Sequence, residues 1–229
     1  IELSVDGLKV NGLQFFTTIA HDIYFRTAQF VKSTHFEQFR ECMDEIIAMY
    51  RRGGFVVTKV NCDNEFRKAF EGYAEMKSPP IKVSYSAAQE HVPRAERNNR
   101  TIQERVRTGY HHLPFTHLPR TLVKIMVTEA PRKLNYFPNK HGVSKYYSPR
   151  MIVAQENLDS DRHCKYACGD YVQAHEEPLT SNTNAARSLD CLYLRPTARS
   201  QNGHDILHLQ TNKIITRRNI TPISNTPSI

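Results

Sequence analysis

The sequence predicts an α/β domain built on a mixed five-stranded sheet with flanking helices, followed by a small all-β, barrel-like domain. Two observations support this prediction. In the first two thirds of the 229-residue chain, short apolar runs alternate with longer segments whose apolar residues recur at the three- and four-residue spacing of a helix. From about residue 160 onward only short alternating runs remain, separated by Asn, Gly and Pro, which is typical of small all-β modules.

Three strands are predicted at the start of the chain, joined as an antiparallel meander. Residues 1–5 alternate apolar and polar side chains, and Asn11-Gly12 suits the positive-φ positions of a tight hairpin. Residues 13–20 then form the returning strand, and residues 23–31 form the third.

A long helix is predicted over residues 33–54, because aromatic and aliphatic residues repeat there at helical spacing. Ser33 or Thr34 can cap its start, and Gly53-Gly54 ends it. The β-branched run at 55–60 follows as a strand, and a crossover through so long a helix predicts that it lies parallel to residues 1–5. Residues 81–86 are a weaker fifth strand.

Two further helices are predicted before the all-β part. One contains the segment AERNNRTIQERVR, residues 95–107, and the other covers about residues 118–136, where Pro131 should kink or end it. The change in periodicity then predicts a first domain over residues 1–152 and a second over residues 153–229.

The charge of the chain is basic and unevenly distributed. The net charge is +8, and residues 111–153 contain seven Lys or Arg against one acid. This predicts a polyanionic partner, with nucleic acid ahead of a membrane, although a generally basic surface remains the alternative. Five scattered cysteines fit a reducing compartment, no apolar run reaches the roughly 20 residues of a membrane span, and a start at Ile1 without methionine suggests a piece of a longer product.

Three acids have positions that predict a shared site. Asp6 closes the first predicted strand, Asp63 follows its presumed parallel neighbour, and Glu96 begins a helix that packs on the sheet. Carboxylates so close together repel unless a cation compensates, and hard oxygen ligands select Mg²⁺ or Mn²⁺. Two such ions can activate a water or hydroxyl and stabilise the leaving oxygen of a phosphodiester.

A polar row follows Glu96 along the same helix. Glu96, Arg100, Gln103 and Arg107 share a face, whereas Ala95, Ile102 and Val106 suit a core. The row is either a phosphate-binding surface beside a metal site or an ordinary solvated helix with weak i,i+4 ion pairs.

The residues around the acids resemble a known family. AERNNRT is similar to the AERxNRT signature that carries the catalytic glutamate in integrases of copia-type retrotransposons, and NCDNEF resembles their aspartate block, usually S-D-N-G-G-E-F. The opening VDGLKVNGLQFFTTIAHDIYFRTAQFV and the later RKLNYFPNKHGVSKYYSPRMI also resemble these enzymes, so the likeness covers about residues 1–152. KYACGDYVQA is more loosely similar to the FGCxAYV strand that follows their core.

The resemblance implies a ribonuclease H-like fold and the activity of an integrase, namely 3′-end processing of element DNA and transfer of those ends into double-stranded target DNA. Asp6, Asp63 and Glu96 would be the catalytic triad and the ligands of two Mg²⁺ or Mn²⁺ ions. A homo-oligomer in the nucleus or in a cytoplasmic virus-like particle, without a membrane partner, is also implied. The candidate DNA contacts are Arg97, Arg100, Gln103 and Arg107.

The chain departs from the family pattern at several points. The Gly-Gly of the aspartate block and the Pro-Gln-Asn-Gly loop before the glutamate are missing, Pro131 interrupts a helix, and no His-His-Cys-Cys zinc module precedes Asp6. Two alternatives therefore stay open. One is a catalytically decayed remnant that only binds DNA or partners, and the other is a metal-dependent nuclease of the same fold.

Two further groups of residues are weaker candidates. His163, Cys164, Cys168 and His175 could be drawn as a zinc site, but the two cysteines are predicted to lie in a strand with His163 pointing away from them. Tyr146-Tyr147, between Lys145 and Arg150, mix aromatic and basic residues as single-strand binders do, although packing within a loop is the favoured interpretation.

Overall fold

The structure is a computed structural model that describes residues 1–33, 35–86, 92–175, 186–197 and 202–223. The chain forms two compact units. The first comprises Ile1–Arg107 and Val127–Asn157, and the second comprises Thr108–Met126 and Leu158–Ile229. No helix in these ranges is long and apolar enough to span a membrane.

The first unit is built on a five-stranded sheet with the order β3-β2-β1-β4-β5. β1, β2 and β3 are antiparallel, whereas β4 runs parallel to β1 and β5 runs parallel to β4. This mixed sheet with flanking helices confirms the predicted fold class. The strands are β1 (Glu2–Val10), β2 (Leu13–Ala20), β3 (Arg26–Val31), β4 (Lys59–Cys62) and β5 (Lys82–Tyr85).

Six helices accompany the strands in the described ranges. Four of them are α1 (Phe36–Arg52), α2 (Arg67–Phe70), which follows a 3-10 turn at Asn64–Phe66, α5 (Pro149–Ala154) and α6 (Ser160–His163). The other two are α3 (Pro93–His111) and α4 (Arg120–Leu134), which correspond to the helices predicted around Glu96 and Pro131.

One face of the sheet is apolar and packs on α1. Leu3 and Val5 of β1 and Val60 and Cys62 of β4 are buried in a single hydrophobic cluster, with Met43, Ile46 and Tyr50 of α1 among the other members. Since side chains alternate across a strand, the residues between them face the other side of the sheet. The polar residues of β1 and β4 are therefore collected on the face opposite α1.

The ends of several elements differ from their predicted positions. β1 continues to Val10, so Asp6 does not close it. β4 begins at Lys59 rather than at residue 55, because its ladder with β1 starts at the pair Glu2–Lys59 and the residues before it have no β1 partner. His35 occupies the N-cap of α1 without a side-chain cap bond, in place of Ser33, and Thr34 lies outside the described residues. Gly53 ends α1 as predicted.

Pro131 lies inside α4 and does not end it. The helix continues to Leu134, and the N–H of Asn135 donates to the carbonyl of Pro131 at 3.0 Å. A proline removes one N–H from the helix but keeps its own carbonyl as an acceptor. The next turn therefore still forms.

The second unit contains an antiparallel sheet with the order β10-β6-β7-β8-β9, which confirms the predicted all-β part. Its apolar cluster includes Tyr166, Val172, Cys191, Tyr193 and Ile206. The strands are β6 (Tyr171–His175), β7 (Ser188–Pro196), β8 (His204–His208), β9 (Lys213–Arg217) and β10 (Ile220–Pro222).

The two cysteines considered for zinc binding do not lie in a strand, so that prediction was wrong. α6 forms before β6 because the side chain of Asp159 accepts from the N–H groups of Asp161 and Arg162 and caps the helix. Cys164 is the C-cap of α6, and Cys168 precedes the start of β6 at Tyr171.

Candidate active site

Asp6 lies in β1, and Asp63 directly follows the end of β4, the parallel strand beside β1. The last pair of the β1–β4 register is Ser4 with Asn61, and Asp6 and Asp63 each lie two residues beyond that pair. The backbone of Asp63 is extended, with φ −71° and ψ 159°. The alternation of side chains therefore continues through it, and both carboxylates lie on the face opposite α1.

Asp6 is fixed in place from two sides. The N–H of Gly7 donates to its Oδ1 at 2.7 Å, and Nδ2 of Asn99 in α3 donates to its Oδ2 at 2.7 Å. Nδ2 of Asn99 also donates to the carbonyl of Gly7 at 3.0 Å, while the hydroxyl of Thr17 donates to Oδ1 of Asn99 at 2.7 Å. This buried contact between Thr17 and Asn99 sets the orientation of the amide that holds Asp6.

Asp63 is held by the neighbouring strand. The hydroxyl of Ser86 donates to Oδ1 of Asp63 at 2.9 Å, and the β4–β5 register, which pairs Cys62 with Tyr85, places Ser86 opposite Asp63. The 3-10 turn Asn64–Phe66 begins directly after Asp63. None of the non-glycine residues with positive φ lies in that turn, so the turn does not need the glycines that the family pattern has at this point.

Glu96 lies in the first turn of α3 and is exposed. Its charge reaches Asp6, whose pKa is raised from 3.8 to about 6. Burial is the largest cause of that rise, and repulsion from Asp63, Glu65 and Glu96 adds to it, whereas the hydrogen bond from Gly7 opposes it. The three predicted acids therefore share one electrostatic environment.

Glu65 is a fourth acid in this environment, and it was not among the residues predicted for the site. Its Oε1 lies 3.3 Å from the position that a Cβ atom on Gly7 would occupy. Burial, followed by repulsion from Asp63, raises its pKa. The signal was present in the NCDNEF block, where Glu65 follows Asp63 by two residues.

The site fits a divalent cation by its chemistry. Its donors are hard carboxylate oxygens, and their mutual repulsion at Asp6 is the charge imbalance that a cation would relieve. Over the described ranges, however, no group of three or more His, Cys, Asp or Glu side chains is arranged to hold a metal ion. Asp6, Asp63 and Glu96 are the residues that would hold one.

The basic residues of α3 lie on its outer side. Arg97, Arg100 and Arg107 are exposed and Gln103 is half-buried. The buried side of the helix consists of Ala95, Asn98, Asn99 and Ile102. The three arginine side chains are therefore accessible to solvent.

A second cluster on the same sheet face links a serine, a histidine and an acid, as a catalytic triad with a serine nucleophile does. The hydroxyl of Ser4 lies 2.7 Å from Nε2 of His21, and Nδ1 of His21 lies 3.5 Å from Oε1 of Glu2. Ser4 is only 1% exposed, so a substrate does not reach its hydroxyl. Lys59 and Asn61 also donate to Glu2, which makes this cluster a structural network.

The carboxyl of Asp6 is expected to titrate near pH 6. Because its pKa is raised in the folded state, its contribution to the free energy of unfolding is fully present below about pH 4 and is lost as the pH rises through about 6. An NMR titration of the side-chain carboxyl carbons without divalent cations measures this directly. Glu65→Gln and Glu96→Gln should each lower the midpoint, and a midpoint near the ordinary value of 3.8 in the unmodified protein would contradict the expectation.

Comparison with known proteins gives structural likeness without a sequence match. No protein-family model matches the chain, and no curated protein matches its sequence. Among solved structures, the chain is similar to the catalytic core domain of BIV integrase, with 17% identity and a TM-score of 0.47 over 67% of this chain and 93% of that domain.

Proposed function

We propose that this chain is an integrase of the copia-type retrotransposon class, a polynucleotidyl transferase that processes the 3′ ends of element DNA and joins them to target DNA. The observation that carries the proposal is the placement of Asp6 and Asp63, each two residues beyond the last pair of the parallel strands β1 and β4, with Asp63 and Glu96 close enough to raise the pKa of Asp6. Such a group of acids suits metal-assisted transfer at a phosphodiester.

The residues of the site have distinct roles in this proposal. Asp6 and Asp63 are the two oriented ligands, since Asn99 and Ser86 fix one oxygen of each carboxylate. Glu96 is the exposed third ligand at the start of α3. When bound, Mg²⁺ or Mn²⁺ supplies charge stabilisation at the attacking and leaving oxygens. The arginines that follow Glu96 on α3 hold the DNA phosphates.

The test is a joining assay with a labelled DNA end and a supercoiled target plasmid, in the presence and absence of Mg²⁺. Metal-dependent joined products support the integrase. Cleavage without joining indicates the nuclease of the same fold. DNA binding that survives chelation of divalent metal, with neither product formed, indicates the non-catalytic remnant.

Arg100→Ala should weaken DNA binding without changing the triad. Arg100 is exposed on the face of α3 that begins with Glu96, and the loss of one phosphate contact lowers the salt dependence of binding by about one unit of log-log slope. We expect this change in titrations of a DNA duplex at several salt concentrations. Glu104→Ala, at an exposed acid of the same helix, is the matched control and should leave affinity equal or higher. An unchanged slope for Arg100→Ala would exclude this residue from the DNA contacts.

A further inference from the structure

The segment of residues 137–147, between α4 and α5, exposes four large apolar or aromatic side chains. The exposed fractions are 57% for Phe137, 68% for Val143, 90% for Tyr146 and 56% for Tyr147. Packing within a loop, the favoured interpretation from the sequence, is therefore wrong for Tyr146. We call residues 137–147 the tyrosine segment.

The backbone of the tyrosine segment is anchored by hydrogen bonds. The N–H of Val143 donates to the carbonyl of Asp22 at 2.9 Å. The hydroxyl oxygen of Ser144 accepts from the N–H groups of Tyr146 at 3.1 Å and Tyr147 at 2.9 Å. Two adjacent tyrosines are thus presented by a fixed backbone, which lowers the conformational entropy lost when a ligand binds them.

Asn135 fixes the start of the tyrosine segment. Its buried side chain accepts from the N–H of Arg26 at 2.9 Å and donates to the carbonyl of Arg26 at 2.8 Å. Its own carbonyl accepts from the N–H of Arg150 at 2.8 Å, in the first turn of α5. Asn135 therefore links the chain just before the tyrosine segment to the chain just after it.

The charge around the tyrosine segment is positive. No Asp or Glu lies between Glu129 and Glu156, and Lys133, Lys140 and Lys145 are exposed. The two arginines of this stretch pair with Glu129 and Glu156, but the three lysines form no ion pair with any residue in the described ranges. The segment therefore attracts anions.

We propose that the tyrosine segment binds a single strand of nucleic acid, with Tyr146 and Tyr147 stacking on unpaired bases and Lys140 and Lys145 contacting phosphates. Exposed aromatic rings combined with cations are the elements of single-strand binding. A duplex offers phosphates but keeps its base faces stacked, so the rings favour a single strand. This site uses none of the acids near Asp6 and therefore does not depend on the proposed catalytic function.

The test measures binding of the full chain to a fluorescent oligothymidylate of about 12 nucleotides, within the size range of single-strand sites. EDTA is present, so that metal-dependent chemistry does not contribute. Tyr146→Ala and Tyr147→Ala should each lower affinity by about tenfold, as expected for the loss of one stacking contact. Tyr146→Phe keeps the ring and should retain affinity within about twofold, and Lys145→Ala should lower the salt slope by about 0.7.

Phe36→Ala is the matched control, because Phe36 is an exposed aromatic residue that neighbours Glu37 and is covered by Arg40. It should bind as the unmodified chain does. In the tyrosine variants, affinity for a duplex of the same length should fall much less than affinity for the single strand. Unchanged single-strand affinity of both alanine variants would overturn the proposal. So would binding to vesicles of phosphatidylcholine and phosphatidylserine that requires the tyrosines, because it would identify a membrane surface as the ligand.

Discussion

Asp63→Asn is expected to lower Mg²⁺-dependent DNA joining by about a thousandfold or more while leaving DNA binding nearly intact. The amide keeps the size of the carboxylate, and its Oδ1 can still accept from Ser86, so the end of β4 should keep its structure. The substitution removes one negative charge from the acids that surround Asp6. Loss of a metal ligand forfeits several kcal/mol of transition-state stabilisation, which corresponds to this change in rate.

The controls separate the loss of a metal ligand from a general effect of charge. Asp22→Asn removes the same charge from an exposed acid in the turn between β2 and β3 and should leave joining within about twofold. The affinity of Asp63→Asn for DNA should be unchanged or higher, because affinity depends on the contacts with DNA phosphates. If Asp63→Asn joins DNA as fast as the unmodified chain, Asp63 takes no part in the chemistry.

The positions of the acids were predictable from local patterns, whereas the groups that orient them were not. The alternation in β1 and β4 and the length of α1 predict two parallel strands, which is sufficient to bring Asp6 and Asp63 to the same sheet edge. The prediction that Asp6 closes β1 was wrong, because β1 continues to Val10 and pairs with β2 across the turn at Asn11-Gly12. The location of the site thus depends on which strands lie side by side. The spacing of apolar residues along the sequence is sufficient to predict this.

The contacts of the site depend on register and helix orientation, which periodicity does not reveal. Asn99 lies 93 residues from Asp6 in the chain, and on a helical wheel it is one of several polar residues in a basic run. Only the packing of α3 on the sheet distinguishes it from Asn98 next to it, whose amide atoms have no hydrogen-bond partner in the described part of the chain. Ser86 likewise becomes a partner of Asp63 only through the register of β5.

Asn99→Ala is expected to lower DNA joining by about 10- to 100-fold at neutral pH, with part of the loss recovered at higher pH. Nδ2 of Asn99 donates to Oδ2 of Asp6 and stabilises the ionised carboxylate. Its removal should therefore raise the pKa of Asp6 above its value of about 6, so that less of the carboxylate is ionised at neutral pH. If the Asp6 carboxylate also moves by about 1 Å, the rate of joining should fall by a factor of the same order.

The pH dependence distinguishes this positioning role from a structural one. The rate of joining should rise through a midpoint that lies at higher pH in Asn99→Ala than in the unmodified chain, and the NMR titration of Asp6 should shift in the same direction. Thermal unfolding will show a cost of about 1 to 3 kcal/mol from the hydrogen bonds that Asn99 makes with Thr17 and with the Gly7 carbonyl. A loss of stability alone does not move the midpoint. Asn98→Ala is the matched control, since it removes a buried asparagine of the same helix that does not contact Asp6. An equal midpoint in the Asn98 and Asn99 variants would show that Asn99 supports the fold without setting the ionisation of Asp6.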